Sequence, residues 1–180
     1  MRPWEIVESE ELLRRDPWVA VHRDRLVLPS GNTADYFRVD LPDYAMVVPF
    51  TRTGTVVLVE GYRPGYNRVA LGPPGGMLDR GEEPLSAARR ELLEETGYVS
   101  DDWKFHGAFT VDGNRKCGRM HLFSCRGARR EFDVKLDPGE ALSVVELTRE
   151  DLILALADGR VAGLAELASL ATVLLGESSR

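Results

Sequence analysis

The chain has little cysteine and no long apolar run, and each shortage narrows what it can be. Two cysteines, Cys117 and Cys125, among 180 residues give almost no scope for a disulfide framework. No apolar stretch approaches the roughly 20 residues that a membrane-spanning helix needs, and the opening MRPWEIVESEELLRRD lacks the pattern of a secretion signal. We therefore expect a cytoplasmic protein with no membrane partner.

Basic charge is also in deficit. The 23 Lys and Arg residues face 29 Asp and Glu residues, which gives a formal net charge of −6. This balance argues against nonspecific nucleic-acid binding through a broadly basic surface, although it is compatible with a nucleotide as substrate. With 43% hydrophobic residues, the chain is able to bury one core of ordinary size.

The two cysteines also suggest no metal site. Cys117, His121 and Cys125 would share one face of a strand, but their spacing resembles no usual zinc site. The sequence favours a core or half-buried role for them.

Apolar patterning predicts a mixed sheet flanked by helices, which is an α/β (α+β) fold. A pair of continuous apolar runs joined at Thr53-Gly54 is typical of buried strands, and Thr148 with Asp151 forms an N-cap pair for a helix that Gly159 would end. The predicted strands are 19–28, 36–41, 45–50, 55–60, 68–71, 103–110, 120–125 and 143–147, and the predicted C-terminal helices are 148–157 and about 164–175.

One further helix is predicted over residues 84–96. Pro84 suits the first turn of a helix, where its missing N–H costs little, and Gly97 suits the left-handed position just past the end. At about 100° per residue, an apolar face separates from an arc that holds Glu91, Glu94 and Glu95. One face of this helix therefore packs, and the other presents three carboxylates.

The three carboxylates repel one another unless a cation neutralises them. Hard oxygen ligands of this kind suit Mg²⁺ or Mn²⁺. An isolated Glu-Leu-Leu-Glu-Glu run is more often a solvated helix face, so the helix alone does not decide the question. The residues around it do.

Seven glycine or charged residues stand at fixed spacings between residues 76 and 98. Gly76 and Glu82 are followed, after seven residues, by 90–92 (Arg-Glu-Leu), then by 94–95 (Glu-Glu) and 97–98 (Gly-Tyr). This arrangement matches every position of the signature of the Nudix hydrolases, and the chain is identified by it as resembling that family. The resemblance implies hydrolysis of a nucleoside diphosphate linked to another group, by metal-activated water.

Roles follow from the resemblance, residue by residue. It implies that Glu91, Glu94 and Glu95 bind the metal, that Gly75 adds its backbone carbonyl, and that Glu82 and Arg90 orient the cluster. It also implies a Nudix fold, with a mixed sheet sandwiched between helices, over residues 45–180. Residues 1–44 would form an N-terminal antiparallel β extension able to exchange between the subunits of a homodimer.

The segment 56–76, VVLVEGYRPGYNRVALGPPGG, resembles the branch of the family that cleaves ADP-ribose and nucleotide sugars. That resemblance implies that Arg63 contacts a phosphate of the substrate. It also implies that Glu140, in a late loop, helps to activate water. Arg38 is a further candidate for substrate binding. Candidates for an aromatic that stacks on the base are Trp4, Trp18, Tyr36 and Tyr44, each of which is equally compatible with core packing.

One departure from the branch lies beyond the signature. ADP-ribose hydrolases usually carry a proline some 15 residues further on, where this chain reads TVDGNRKCG over residues 110–118. Asn114, Arg115 and Arg119 are instead polar candidates for contact with the distal sugar or its phosphate. ADP-ribose and nucleoside diphosphate hexoses therefore both remain open as substrates.

The expected reaction is hydrolysis of a phosphoanhydride to a nucleoside monophosphate and a sugar phosphate, assisted by two or three Mg²⁺ ions. Glu140, or failing that Glu91, is the expected base. Dinucleoside polyphosphates or oxidised nucleoside triphosphates are alternative substrates of the same signature. A non-catalytic nucleotide sensor is less favoured, because none of the signature glutamates is lost.

Overall fold

The computed structural model describes residues 3–136 and 141–177. Its contacts divide the chain into two compact units. The first contains the chain up to Asp43 together with Phe109–Arg119, and the second contains Tyr44–Ala108 together with the chain from Met120 onward. The predicted boundary between residues 44 and 45 is not tested by this division and stays a prediction.

The first unit is built on an antiparallel meander. Its strands are β1 (Glu5–Arg15), β2 (Val19–Val27) and β3 (Thr33–Asp40), and β2 pairs with both of the others. In β2 the alternate residues Ala20, Asp24 and Leu26 are among the buried ones, whereas every residue of β1 is exposed. Asp24 is buried, and the hydrogen bonds that it accepts from Ser9 at 2.5 Å and Arg38 at 2.9 Å offset the cost of burying its carboxylate.

The second unit is a mixed sheet between helices. Its elements are β4 (Tyr44–Thr51), β5 (Val56–Arg63), β6 (Arg68–Gly72), β7 (Gly75–Met77), α1 (Pro84–Thr96), β8 (Tyr98–Val99), β9 (Asp102–Asp112), β10 (Lys116–Arg130), β11 (Leu142–Leu147), α2 (Arg149–Ala157) and α3 (Leu164–Glu177). Strands β9 and β10 also contribute residues to the first unit. Strand β4 runs parallel to β10 and antiparallel to β7, and β5 pairs antiparallel with β6 and β11.

Both faces of this sheet are covered, which explains the continuous apolar runs of β4 and β5. Ala45 and Val47 point into a core shared with Leu92 of α1. Met46 and Val48 point the other way, into a core shared by α2 and α3. The predicted mixed sheet flanked by helices is confirmed.

Helix α1 begins at Pro84 and ends at Thr96, the residues that the sequence predicts. Gly97 follows in the left-handed conformation with φ 74°, and its N–H donates to the carbonyl of Leu93 at 2.8 Å. Thr148 caps α2 by accepting from the N–H of Asp151. Within segments 3–136 and 141–177, no helix combines the length and the apolar content that a membrane span requires.

Candidate active site

The acidic face of α1 opens into a cavity of about 310 Å³, called the acidic pocket below. Glu91, Glu94 and Glu95 line it from the helix. The short strand β7 supplies Gly75 and Gly76, and the end of β5 supplies Arg63. Arg90 lines the cavity as well. The fold therefore brings six predicted site residues to one cavity: Arg63, Gly75, Arg90, Glu91, Glu94 and Glu95.

Arg90 holds the acidic side chains in place. Its Nε and Nη2 donate to the two carboxylate oxygens of Glu82, each at 3.0 Å, in a bidentate pair. Its Nη1 donates to Glu91 at 2.7 Å and to Glu94 at 3.2 Å. Nη2 also donates to the carbonyl of Met77 at 3.0 Å. One guanidinium thus joins the helix to the loop that precedes it.

The titration behaviour follows from these contacts. Hydrogen bonds from Arg90 hold the pKa of Glu82 below its ordinary value, against the opposing effect of burial. The same bonds to Glu82 raise the pKa of Arg90. Glu82 also accepts from the N–H of Asp79 at 2.9 Å. Glu82 is therefore an ionised anchor that fixes Arg90.

The backbone of Gly75 and Gly76 lies directly against the carboxylates. The N–H of Gly75 donates to Glu95 at 2.9 Å, and Glu95 is only 4% exposed. At Gly76 an added Cβ would collide with the carboxylate of Glu91. Glycine is required here because any side chain would displace a member of the acidic cluster.

The donor set fits a hard divalent cation. It consists of carboxylate oxygens beside glycine backbone, the chemistry that Mg²⁺ and Mn²⁺ prefer. As the side chains lie, no three His, Cys, Asp or Glu residues of segments 3–136 and 141–177 converge on one point suited to an ion. Protein donors hold them apart, since Glu91 and Glu94 turn to Arg90 and Glu95 turns to Gly75.

Positive charge reaches the acidic pocket from two further side chains. Arg63 is half-buried, and it makes no ion pair with another residue in the described part of the chain. Lys135, which sequence reasoning missed, lines the same cavity. Its own N–H donates to the carbonyl of Glu94 at 2.8 Å, a long-range contact that leaves no signal in the sequence. Glu140 lies outside the described residues.

Tyr44 lines a second cavity of about 250 Å³, called the tyrosine pocket below. Tyr66 and Glu166 line it too, and Arg63 and Gly75 belong to both pockets. Burial raises the pKa of Tyr44 to about 12, helped by the negative charge of Glu166. Sequence reasoning missed Tyr66 and Glu166.

The other predicted substrate ligands, Trp4, Arg38 and Arg115, belong to the first unit. Trp4 is half exposed and meets Tyr36 edge to face, with ring centroids 6.4 Å apart. Arg38 is held by Asp24 at 2.9 Å and by Asp40 at 2.6 Å. Their substrate roles stay predictions.

Arg115 lines a cavity of about 320 Å³ in that unit. Tyr36, Phe37 and Asn114 line it as well. The phenolic O–H of Tyr36 donates to the amide oxygen of Asn114 at 3.3 Å. Aromatic rings, an amide and a guanidinium in one cavity are groups able to contact a base.

The cysteines have the core and half-buried positions that the sequence favours. Cys125 is buried in the core beside α1, and Cys117 is half-buried. Burial raises the pKa of the Cys125 thiol to about 12, which keeps it protonated and unreactive at neutral pH.

Two family models match the chain. The NUDIX domain matches residues 40–167, and the nucleoside diphosphate sugar hydrolase N-terminal domain matches residues 4–39. The crystal structure of an ADP compounds hydrolase superposes with a TM-score of 0.86 and covers 99% of this chain and 96% of its own. Its sequence is 22% identical, so this likeness speaks to the fold.

Several relatives span most of the chain, and they include the following three. The methanol dehydrogenase activator of Bacillus methanolicus is 29% identical over 79% of this chain and 78% of its own. The ADP-ribose pyrophosphatase of Bacillus subtilis (strain 168) is 32% identical over 70% and 69%. The GDP-mannose pyrophosphatase of Yersinia pestis (strain Pestoides F) is 31% identical over 84% and 82%. With its signature helix, its sandwiched sheet and these matches, the chain belongs to the Nudix family.

Proposed function

We propose that the protein is a pyrophosphohydrolase that cleaves the diphosphate bridge of a nucleoside diphosphate sugar, ADP-ribose or a hexose derivative, to a nucleoside monophosphate and a sugar phosphate. The observation that carries this proposal is the acidic pocket, where three carboxylates of one helix face Arg63. The N-terminal match to nucleoside diphosphate sugar hydrolases and the names of two relatives support the substrate class.

The reaction adds water across the anhydride. A water oxygen forms a bond to one phosphorus, the bond from that phosphorus to the bridging oxygen breaks, and the bridge leaves on the other phosphate. Glu91, Glu94, Glu95 and the carbonyl of Gly75 would hold Mg²⁺ or Mn²⁺. When bound, such ions neutralise diphosphate charge and lower the pKa of bound water.

The chain's own groups divide the remaining work. Arg63 binds a phosphate oxygen, since its guanidinium reaches the acidic pocket and pairs with no carboxylate of the described residues. Arg90 and Glu82 position the carboxylates. A carboxylate takes the proton of the attacking water, and Glu140 or Glu91 is proposed for this step.

The first unit is proposed to bind the nucleoside. Trp4, Tyr36 and Arg115 offer stacking surfaces and a cation, and Arg38 adds a second guanidinium. Aromatic stacking tolerates any base, which is consistent with the different bases named for the ADP-ribose and GDP-mannose relatives.

A homodimer and a cytoplasmic location complete the proposal. The fully exposed strand β1 supports the dimer, because an edge strand of 11 residues offers unpaired backbone groups to a partner. Two cysteines that form no disulfide with each other support a reducing compartment.

Product analysis tests the proposal. We expect the protein, incubated with Mg²⁺, to convert ADP-ribose or an ADP-, GDP- or UDP-hexose to a nucleoside monophosphate and a sugar phosphate. Chromatography of the products identifies the bond that breaks. Turnover of only dinucleoside polyphosphates or nucleoside triphosphates would discard the substrate class while keeping the chemistry.

Glu95→Gln tests the acidic pocket itself. The amide oxygen of glutamine still accepts from Gly75, so the fold should hold, but the metal loses a charged ligand. We expect turnover to fall by at least about a hundredfold, because metal binding contributes several kcal/mol of transition-state stabilisation. Glu83→Gln is the matched control, since Glu83 is an exposed residue at the start of the same helix. Equal activity of the two variants would remove the metal assignment.

A further inference from the structure

The tyrosine pocket has a polar end formed by residues from three elements. Tyr44 comes from β4, Tyr66 from the turn between β5 and β6, and Glu166 from the first turn of α3. The pocket continues from the acidic pocket, because Arg63 and Gly75 line both. A ligand whose diphosphate lies beside Arg63 can therefore extend a neighbouring group into it.

The polar groups are arranged as a connected set. The phenolic O–H of Tyr66 donates to one oxygen of Glu166 at 3.1 Å. Burial raises the pKa of Tyr66, and the charge of Glu166 raises it further. The pKa of Tyr44 is raised by burial and, in addition, by the same carboxylate. Both phenols are therefore protonated at neutral pH, and the Glu166 side chain is the acceptor beside them.

The backbone is shaped to place Glu166 there. A Cβ at Gly163 would collide with both the Glu166 carboxylate and the Tyr66 hydroxyl, and a Cβ at Gly72 would lie 3.2 Å from Cγ of Glu166. The side chain thus lies against two glycines, one before α3 and one at the end of β6. A first-turn glutamate that served only the helix dipole would need neither of these close approaches.

Charge and size limit what the pocket accepts. A carboxylate beside a diphosphate site repels a further phosphate, so the group that enters should be neutral and rich in hydrogen-bond donors. Carboxylate oxygens accept from sugar hydroxyls, and phenols both donate and accept. The volume of about 250 Å³ is below the roughly 300–1,000 Å³ typical of sites for drug-sized ligands, so it suits a single ring.

We propose that Glu166, Tyr66 and Tyr44 bind the hydroxyl groups of the sugar beyond the diphosphate and determine which sugar the enzyme prefers. This assignment rests on the proposed function, since it presupposes a nucleotide sugar in the acidic pocket. It makes Glu166 a specificity residue that touches substrate without taking part in bond cleavage.

Kinetics on a matched set of substrates test it. ADP-ribose, ADP-glucose and ADP-mannose vary the sugar on one base, and GDP-mannose varies the base on one sugar. For Glu166→Gln we expect kcat/KM on the preferred sugar to fall roughly tenfold, the low end for a weakened hydrogen bond to a charged group. The loss should lie mainly in KM, the ratios among sugars should shrink, and the ratio of ADP-mannose to GDP-mannose should stay unchanged.

Two further variants separate a specific effect from a structural one. Glu150→Gln removes an exposed carboxylate from the first turn of α2 and should leave every ratio at its wild-type value. Tyr66→Phe keeps the ring and should shrink the ratios among sugars in the same direction as Glu166→Gln.

Several results would overturn the assignment. An equal loss on all sugars, a change in the base ratio, or the same behaviour in Glu150→Gln would each exclude a sugar contact. If Glu166→Gln fails to fold, unchanged sugar ratios in Tyr66→Phe exclude it instead. A wild-type protein that cleaves none of these substrates contradicts the proposed function itself, a result that no variant is needed to recognise.

Discussion

Arg90 bonds several acceptors in the acidic pocket at once, and the geometry of its guanidinium explains how. The planar guanidinium reaches Glu82 with two nitrogens, Glu91 and Glu94 with the third, and the carbonyl of Met77 as well. A lysine would preserve the charge but lose this fork. Arg90 is therefore a positioning residue that acts through the glutamates.

Arg90→Lys should weaken both the site and the fold. We expect kcat to fall roughly 10- to 100-fold, the usual effect of removing a group that orients metal ligands. The free energy of unfolding should fall by about 1–3 kcal/mol, because the half-buried carboxylate of Glu82 keeps fewer donors. Arg89→Lys is the control on the exposed side of the same helix, where Arg89 stacks on Trp103. A variant with normal kcat and raised KM alone would contradict the positioning role.

The sequence predicts some site residues and not others, and the difference lies in how far apart the contacting residues are along the chain. Glu91, Glu94 and Glu95 share a face by helical periodicity alone, so their juxtaposition needs no tertiary information. Glu166 lies 100 residues from its partner Tyr66 and carries no pattern of its own. Lys135 lines the acidic pocket, and its backbone N–H bonds the end of α1, a contact between residues 41 positions apart.

The end of α1 is an anchor for the segment that follows β10. The carbonyl of Gly97 accepts from the N–H groups of Glu131 and Phe132 at 3.0 and 3.1 Å, and Glu94 accepts from Lys135. A Cβ at Gly97 would collide with the carbonyl of Phe132, and the φ of 74° is unfavourable for any other residue. The helix end therefore fixes both the last two glutamates and the approach of Lys135.

Gly97→Ala should lower the free energy of unfolding by at least about 1–3 kcal/mol, the cost of a left-handed non-glycine residue, because the collision with the Phe132 carbonyl adds to that cost. Urea denaturation measures this as a lower midpoint with an unchanged slope. Gly113→Ala is the control, because a Cβ there meets nothing within 4 Å, and it should change stability by no more than about 0.5 kcal/mol. Equal stability of both variants would show that the helix end tolerates a side chain.

Elements with a clear period or cap are predicted well, and elements defined by pairing are not. Helix α1 is fixed by Pro84 and Gly97, and α2 by Thr148. Strand β1, EIVESEELLRR, is exposed along all 11 residues, and its sequence shows no regular alternation of apolar and polar residues that would predict a strand. Its existence depends on the ladder with β2.

At the scale of the molecule, the N-terminal unit includes a segment that no local signal predicts. Phe109–Arg119 joins the N-terminal strands through contacts distant in sequence. Lys116 donates to Asp40 at 2.7 Å, and Tyr36 donates to Asn114 at 3.3 Å. Each contact spans more than 70 residues, and a single sequence gives no signal for pairs so far apart.

Strand β1 gives the proposed dimer a physical reason. Among the described residues it pairs only with β2, which leaves its other edge without a strand. Four large apolar side chains on it, Ile6, Val7, Leu12 and Leu13, are between 41% and 55% exposed. An exposed edge with apolar side chains is unfavourable in an isolated subunit and favours pairing with another chain.

The combination of Ile6→Lys and Leu13→Lys should therefore separate the subunits, since charges at a buried contact carry a large desolvation cost. We expect the wild-type protein to sediment as a dimer in analytical ultracentrifugation and the double variant to sediment as a monomer. Ile153→Lys, at an apolar position of α2 that is 49% exposed, should leave the dimer intact. A wild-type monomer at every concentration would contradict the dimer. A double variant that stays dimeric would place the interface elsewhere than β1.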